Sequence, residues 1–100
     1  MENLYDKRKN YDKAELLESE VEDSPFEQFK MWFKNAENSA EISEANAMSV
    51  SSVDSDGCPR TRVVLLKSYD ENGFVFYTNY DSQKGKALIE TGKACLHFFW

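Results

Sequence analysis

RVVLLKSYDENGFVFYTNYDS, residues 62 to 82, is the stretch that decides the fold. Residues 62–67 are four branched aliphatic residues with a cation at each end, and aromatic or β-branched residues fill 74–78, so both runs predict strands. The polar segment between them ends in Asn72 and Gly73, a pair that is typical of a tight turn. The stretch therefore predicts a hairpin in which the first run pairs with the second.

Three cations that could bind an anion, Arg62, Lys67 and Lys84, lie within this stretch or just after it. Side chains alternate along a strand, so Arg62 and Lys67 are expected on opposite faces, about 16 Å apart. If both bind anions, they bind two different anions. Ser82 as N-cap and Gly92 just past the C-terminus predict a helix between them, and its N-terminus with Lys84 could hold an anion. The alternative is an ordinary capped helix with solvated lysines.

The remaining strands are predicted on both sides of this stretch. Residues 47–53 and 60–67 flank the turn at 54–57, which predicts a second hairpin, with Pro59 at the start of its second strand. Residues 94–100 predict a fourth strand. Its even-numbered side chains, Leu96 among them, are expected on one face and its odd-numbered ones on the other. Four strands with helices in the connections favour a mainly β fold, a small antiparallel barrel with appended helices.

A helix is predicted to begin after Ser24, with Pro25 at its first position and Glu27 completing a capping box. Its aromatic stripe is expected to pack on the core and cover one end of the barrel; the stripe consists of Phe26, Phe29, Trp32, Phe33 and Ala36. Residues 12–19 predict a shorter helix with Leu16 and Leu17 inward.

Composition restricts the function. The chain of 100 residues is one domain at most, and its net charge of −6 argues against nucleic acid or an anionic membrane as the main partner. Neither a membrane span nor a signal peptide can be recognised, which predicts a cytoplasmic protein. Cys58 and Cys95 are isolated, so neither a disulfide framework nor a zinc site is indicated, and both are expected to be structural.

The sequence does not reveal a catalytic side chain. It contains no recognisable Ser-His-Asp set, paired-carboxylate site, metal-spaced His/Cys cluster or Walker loop. His97 lies among aromatic residues in a predicted strand, where a packed or hydrogen-bonded histidine is the more common case. No catalytic residue and no metal ligand is therefore assigned. The chain ends at Trp100 within a strand-like run, which predicts that it is the N-terminal half of a longer protein.

Three separated motifs, RVVLLK at 62–67, GFVFYTN at 73–79 and SQKG at 82–85, closely resemble the pyridoxamine 5′-phosphate oxidase family in order and spacing. The likeness extends upstream through 46–48 and 56–59, and more loosely to 8–11. It implies an FMN-binding split barrel, an antiparallel β-barrel of which the N-terminal half is present here. Residues 1–23 would form a partly mobile arm and residues 24–100 the first part of the barrel domain.

The resemblance also implies roles for individual residues. The FMN ligands would be Arg62, Val63, Val64, Leu65, Leu66, Lys67, Tyr77, Thr78, Ser82, Gln83 and Lys84. Arg62 and Lys84 would bind the FMN phosphate, whereas Lys67 would also hold the phosphate of the substrate. Arg8 and Tyr11 would contact the substrate from the N-terminal arm. Many relatives carry arginine where Gln83 stands, so the cofactor phosphate would be held here with one fewer charge.

The implied reaction is the FMN-dependent oxidation of pyridoxamine 5′-phosphate and pyridoxine 5′-phosphate to pyridoxal 5′-phosphate. O2 is the acceptor and H2O2 the by-product, and the flavin lies at the interface of a homodimer. This stretch alone is expected to be inactive. Two alternatives stay open: a non-catalytic or reductase-like FMN-binding split-barrel protein, which need not keep Lys67 or the arm, and a structural module without a ligand.

Overall fold

The computed structural model describes residues 3–8, 16–78 and 83–100, except for the side chains of residues 83, 84 and 87. A short 3₁₀ helix at Glu18–Glu20 precedes the main elements. These are α1 (Pro25–Glu37), β1 (Ala47–Val53), β2 (Pro59–Leu65), β3 (Ser68–Asp70), β4 (Gly73–Val75), α2 (Gln83–Thr91) and β5 (Cys95–His97).

Helix α1 begins where the capping signals predict. The Ser24 side chain accepts a hydrogen bond from the Glu27 N–H at 3.4 Å, and a proline occupies the first turn, where no N–H is needed. Phe33 and Ala36 are buried and Phe29 packs against them, which confirms most of the predicted stripe. Trp32 is 42% exposed, so its inward placement was wrong. At about 100° per residue, it lies to one side of the line through the buried positions.

The larger sheet has the strand order β2-β1-β5, and both pairings are antiparallel. The predicted hairpin of β1 and β2 is confirmed, with Pro59 at the start of β2. Its turn uses Gly57 at φ +83°, a conformation that favours glycine. In β5 the ladder covers only Cys95–His97, but the predicted alternation continues, because Leu96, Phe98 and Trp100 are half-buried and the residues between them are exposed.

The predicted pairing of 62–67 with 74–78 was wrong. Strand β2 ends at Leu65 and pairs with β1, while β3 and β4 form a separate two-stranded sheet. The turn signal itself was correct, since Gly73 begins β4 at φ +143° and the Asn72 N–H donates to the Asp70 carboxylate at 2.8 Å. The first run thus pairs with β1 as far as Leu65, and the Lys67 N–H connects it to the small sheet by donating to the Val75 carbonyl.

An aromatic cluster on α1 joins the two sheets. The ring of Phe29 lies 5.3 Å from Tyr69 and 4.9 Å from Phe74 in the small sheet, and 5.1 Å from Phe98 after β5. The buried core beside it consists of Phe33, Ala36, Ala45, Met48, Val50 and Leu66. Antiparallel sheets with few helices agree with the predicted fold class, one half of a split barrel.

Helix α2 confirms the helix predicted before Gly92, which has φ +65° and donates its N–H to Leu88 at 2.9 Å. Of the predicted helix at 12–19, residues 12–15 lie outside the described residues. Leu16 and Leu17 are exposed, so their inward placement was wrong. The division of the chain at residue 24 stays a prediction. Within the described residues, we find no helix with the length and apolar character needed to cross a membrane.

Candidate functional site

A pocket of about 530 Å³ opens beside Lys67, where the C-terminal part of α1 faces the chain between β2 and β3. It is lined by Phe33, Glu37, Asn46, Leu66, Lys67, Ser68 and Tyr69. One cation, one carboxylate and two aromatic rings therefore share its wall. These groups suit a small ligand that combines a ring with an anionic group.

The Lys67 backbone lies at the passage from one sheet to the other. The Leu66 N–H donates to the Asn46 carbonyl at 2.8 Å, whereas the Lys67 N–H donates to the Val75 carbonyl at 2.8 Å. Because β2 ends at Leu65, strand alternation does not set the direction of the Lys67 side chain. The alternation argument therefore does not extend to Lys67, and its placement on the face opposite to Arg62 stays a prediction.

Tyr69 forms the aromatic wall of the pocket together with Phe33, at a ring separation of 5.3 Å. Burial, and then the negative charge of Glu37, raise the pKa of Tyr69. Its phenol therefore stays protonated near neutral pH and can donate a hydrogen bond. Sequence analysis assigned neither Tyr69 nor Glu37 to a site, because Tyr69 falls in the segment between two predicted strands and Glu37 directly follows the aromatic stripe of the predicted helix.

Arg62 lies on β2 directly opposite Val50, so both belong to the same face of the sheet. Two residues earlier on that face, Arg60 binds Asp54 with 3.0 Å between Nε and Oδ2. Arg62 is exposed, and within the described part of the chain it has no ion-pair partner. Ser52, opposite Arg60, is only 3% exposed and its hydroxyl makes no hydrogen bond to the described residues.

The turn between β1 and β2 gathers Asp54, Asp56 and Cys58, whose possible ligand atoms lie within 4.8 Å of one another. Both carboxylates accept from the Cys58 N–H, at 2.9 and 3.0 Å, so they already hold the turn together. A hydrogen bond with Asp56, followed by those from Arg60 and the Cys58 N–H, lowers the pKa of Asp54. These contacts explain the cluster as a turn, and we assign it no ligand.

The other residues of the predicted cofactor site differ in their exposure to solvent. Val63 and Tyr77 are 73% and 75% exposed, Val64, Leu65 and Thr78 are half-buried, and Leu66 is buried at 4%. At 4% exposure, Leu66 could meet a ligand only through its backbone.

Helix α2 lies against β1 and β2, and its first residues are Gln83 and Lys84, whose side chains are outside the described part. Ser82 and Tyr11 also lie outside the described residues. Arg8 is exposed and lines a separate open cavity of about 510 Å³ with Tyr5 and Asp6.

Two further residues were weighed for chemistry from the sequence. His97 is exposed and its ring stacks at 6.4 Å on Phe99, which is itself 81% exposed, so the expected packing among aromatic residues is limited to this surface contact. Cys58 and Cys95 are free thiols, and both are exposed.

Comparison with known proteins gives one consistent result. Residues 35–100 match the family model described as pyridoxamine 5′-phosphate oxidase. Curated proteins named pyridoxine/pyridoxamine 5′-phosphate oxidase are similar to nearly the whole chain. The protein from Christiangramia forsetii is 53% identical over 98% of this chain and 46% of its own length, and that from Flavobacterium psychrophilum is 50% identical over 100% and 47%. The chain thus spans about half the length of the curated relatives it matches.

Proposed function

The chain belongs to the pyridoxamine 5′-phosphate oxidase family, and from this membership we propose that the complete protein oxidises pyridoxamine and pyridoxine 5′-phosphate to pyridoxal 5′-phosphate. The names of the relatives supply the substrates. For the amine, the balanced reaction consumes O2 and water and releases ammonia and H2O2; for the alcohol, it consumes O2 and releases H2O2. The observation that carries the proposal is Lys67 in a pocket with an aromatic wall.

The residues around Arg62 fit the phosphate of FMN. The exposed Arg62 guanidinium lies on the same sheet face as the buried Ser52 hydroxyl. Among the described residues, the guanidinium has no ion-pair partner and the hydroxyl makes no hydrogen bond. A phosphate oxygen would satisfy such donors with charge-assisted hydrogen bonds. When bound, FMN supplies the hydride acceptor and the route of the electrons to O2. We assign the rest of the proposed cofactor site to residues 82–84, of which 83 and 84 begin α2, and to the backbone and side chains of residues 63–66, 77 and 78.

The pocket at Lys67 fits the substrate. The ammonium group of Lys67 would bind the substrate phosphate, and the Phe33 and Tyr69 rings offer an apolar wall to its pyridine ring. We place Arg8 and Tyr11 at the same substrate as contacts from the N-terminal arm. A bare FMN binder needs no cation in this pocket, so the position of Lys67 favours the oxidase over that alternative.

We also propose a cytoplasmic homodimer with FMN at the interface. Val63 and Tyr77 belong to the proposed cofactor site and are about three-quarters exposed. In this half of the barrel, the surface that would contact the flavin is therefore open to solvent. A second copy would cover it, and twofold dimers are the commonest assembly of soluble proteins. Sedimentation of the complete protein should show a dimer that carries FMN. A monomer that retains FMN would contradict this arrangement.

The test of the function uses the full-length protein with Lys67→Ala. Loss of one charged contact should raise the KM for pyridoxamine 5′-phosphate about 10- to 100-fold, while FMN affinity hardly changes. Lys30→Ala, at an exposed lysine of α1, is the matched control and should leave both values unchanged. If Lys67→Ala released FMN and left KM alone, the lysine would serve the cofactor and the substrate assignment would be wrong.

A further inference from the structure

Asn46 closes the end of the β1–β2 ladder in an unusual way. In a regular antiparallel pair, two opposite residues exchange two backbone hydrogen bonds. Here the first bond is regular, from the Leu66 N–H to the Asn46 carbonyl at 2.8 Å, but the second comes from the Asn46 side chain, whose Nδ2 donates to the Leu66 carbonyl at 3.1 Å. A side-chain amide thus holds the residue that directly precedes Lys67.

Lys67 itself is bonded to the second sheet, because the Lys67 N–H donates to the Val75 carbonyl. Leu66 is therefore fixed to the larger sheet and Lys67 to the smaller one, and the Asn46 amide holds the carbonyl between them. Asn46 is itself anchored, because Trp100 Nε1 donates to the carbonyl of the preceding Ala45 at 2.9 Å. Asn46 also lines the pocket beside Lys67.

We propose that Asn46 is a positioning residue for Lys67: its amide sets the course of the backbone at the sheet junction and thereby aims the ammonium group at the substrate phosphate. This inference rests on the proposed function of Lys67. Asn46 acts through Lys67 and does not itself carry the binding charge. Its effect should therefore depend on the presence of the lysine.

The experiment is a double-mutant cycle in the full-length, FMN-loaded protein, with pyridoxamine 5′-phosphate as substrate. Asn46→Ala should raise KM about three- to tenfold, as expected for one lost hydrogen bond, and leave FMN affinity unchanged. In the Lys67→Ala background the same substitution should change KM by less than about twofold. Asn46→Ser keeps a short donor and should restore part of the loss. Asn35→Ala, at an exposed asparagine of α1, is the control without effect.

The cycle distinguishes a failure of the positioning role of Asn46 from a failure of the proposed substrate site at Lys67. If Asn46→Ala raised KM by the same factor in both backgrounds, or left KM unchanged, Asn46 would not position Lys67. If Lys67→Ala itself left KM unchanged, the proposed substrate site would be wrong instead. Should Asn46→Ala fail to fold, Asn46→Ser enters the same cycle, where a smaller rise in KM must again vanish without the lysine.

Discussion

Strands β1 and β2 pair residue by residue, yet their surroundings are opposite. Strand β1 has neighbours on both sides and alternates between half-buried and buried residues as far as Ser52, whereas the first five residues of β2 are all exposed. Val50 has no exposed surface, and Arg62 directly across the ladder is open to solvent. The central strand therefore supplies stability, and the edge strand presents groups that a ligand or a partner can reach.

A pair of matched valine substitutions tests this contrast with the largest expected effect. Val50→Ala should lower the free energy of unfolding by about 2 kcal/mol, because it leaves a cavity in the core. Val63→Ala, at a residue 73% exposed on β2 and covered only by the proposed second copy, should cost clearly less, about 1 kcal/mol at most. Urea unfolding of the full-length protein measures both. An equal loss at Val63 would contradict the contrast between the central and the edge strand.

Two serines on β1 sharpen the comparison with a smaller effect. The Ser52 hydroxyl is buried and makes no hydrogen bond to the described residues, so Ser52→Ala should raise the stability of the FMN-free protein by up to about 1 kcal/mol. Ser51 lies next to it, and its hydroxyl is 2.9 Å from that of Thr61, so Ser51→Ala should lower stability slightly. Thermal unfolding compares the two variants. A clear loss of stability in Ser52→Ala would mean that its hydroxyl already has a partner.

The parts of the fold that the sequence could predict depend on local signals, and the part that it could not predict depends on distant contacts. Local signals succeeded: Ser24 caps α1, the glycine turns lie at Gly57 and Gly73, and α2 ends before Gly92. Each of these depends on a few neighbouring residues. The pairing of 62–67 with β1 was predicted correctly, but its second predicted pairing, with 74–78, failed, because whether the outer edge of β2 gains a partner depends on contacts distant in the sequence, among them the Asn46 side chain and the carbonyl of Val75.

The candidate site divides in a similar way. The cations at Arg62 and Lys67 could be selected from residue type and resemblance. Their surroundings could not be predicted. The ion pair with Asp54 gives Arg60 a structural role, whereas Arg62 can bind a ligand. Tyr69 looked like a turn residue, and only the packing of α1 turns it into a pocket wall.

The smallest expected effect concerns the ion pair that ties the end of β1 to the start of β2. Because the folded-state pKa of Asp54 is lowered, its carboxylate stabilises the hairpin above the ordinary value of 3.8, and this contribution is lost as the pH falls through the folded-state pKa. Asp54→Asn should therefore lower the melting temperature slightly at pH 7. The difference from the unchanged protein should disappear well below pH 3.8. A difference that stays constant with pH would contradict a role of the charge.

The central claim is that β2 presents Arg62, which has no ion-pair partner among the described residues, to a cofactor phosphate. FMN affinity in two neighbouring variants tests this claim most directly. Arg60 and Arg62 share one strand and one face, but only Arg60 is bound to Asp54. Fluorescence titration of the full-length protein should show FMN binding weakened about tenfold or more in Arg62→Ala. Arg60→Ala should stay within about twofold of the unchanged protein. Unchanged affinity in Arg62→Ala, or an equal loss in both variants, would contradict the account.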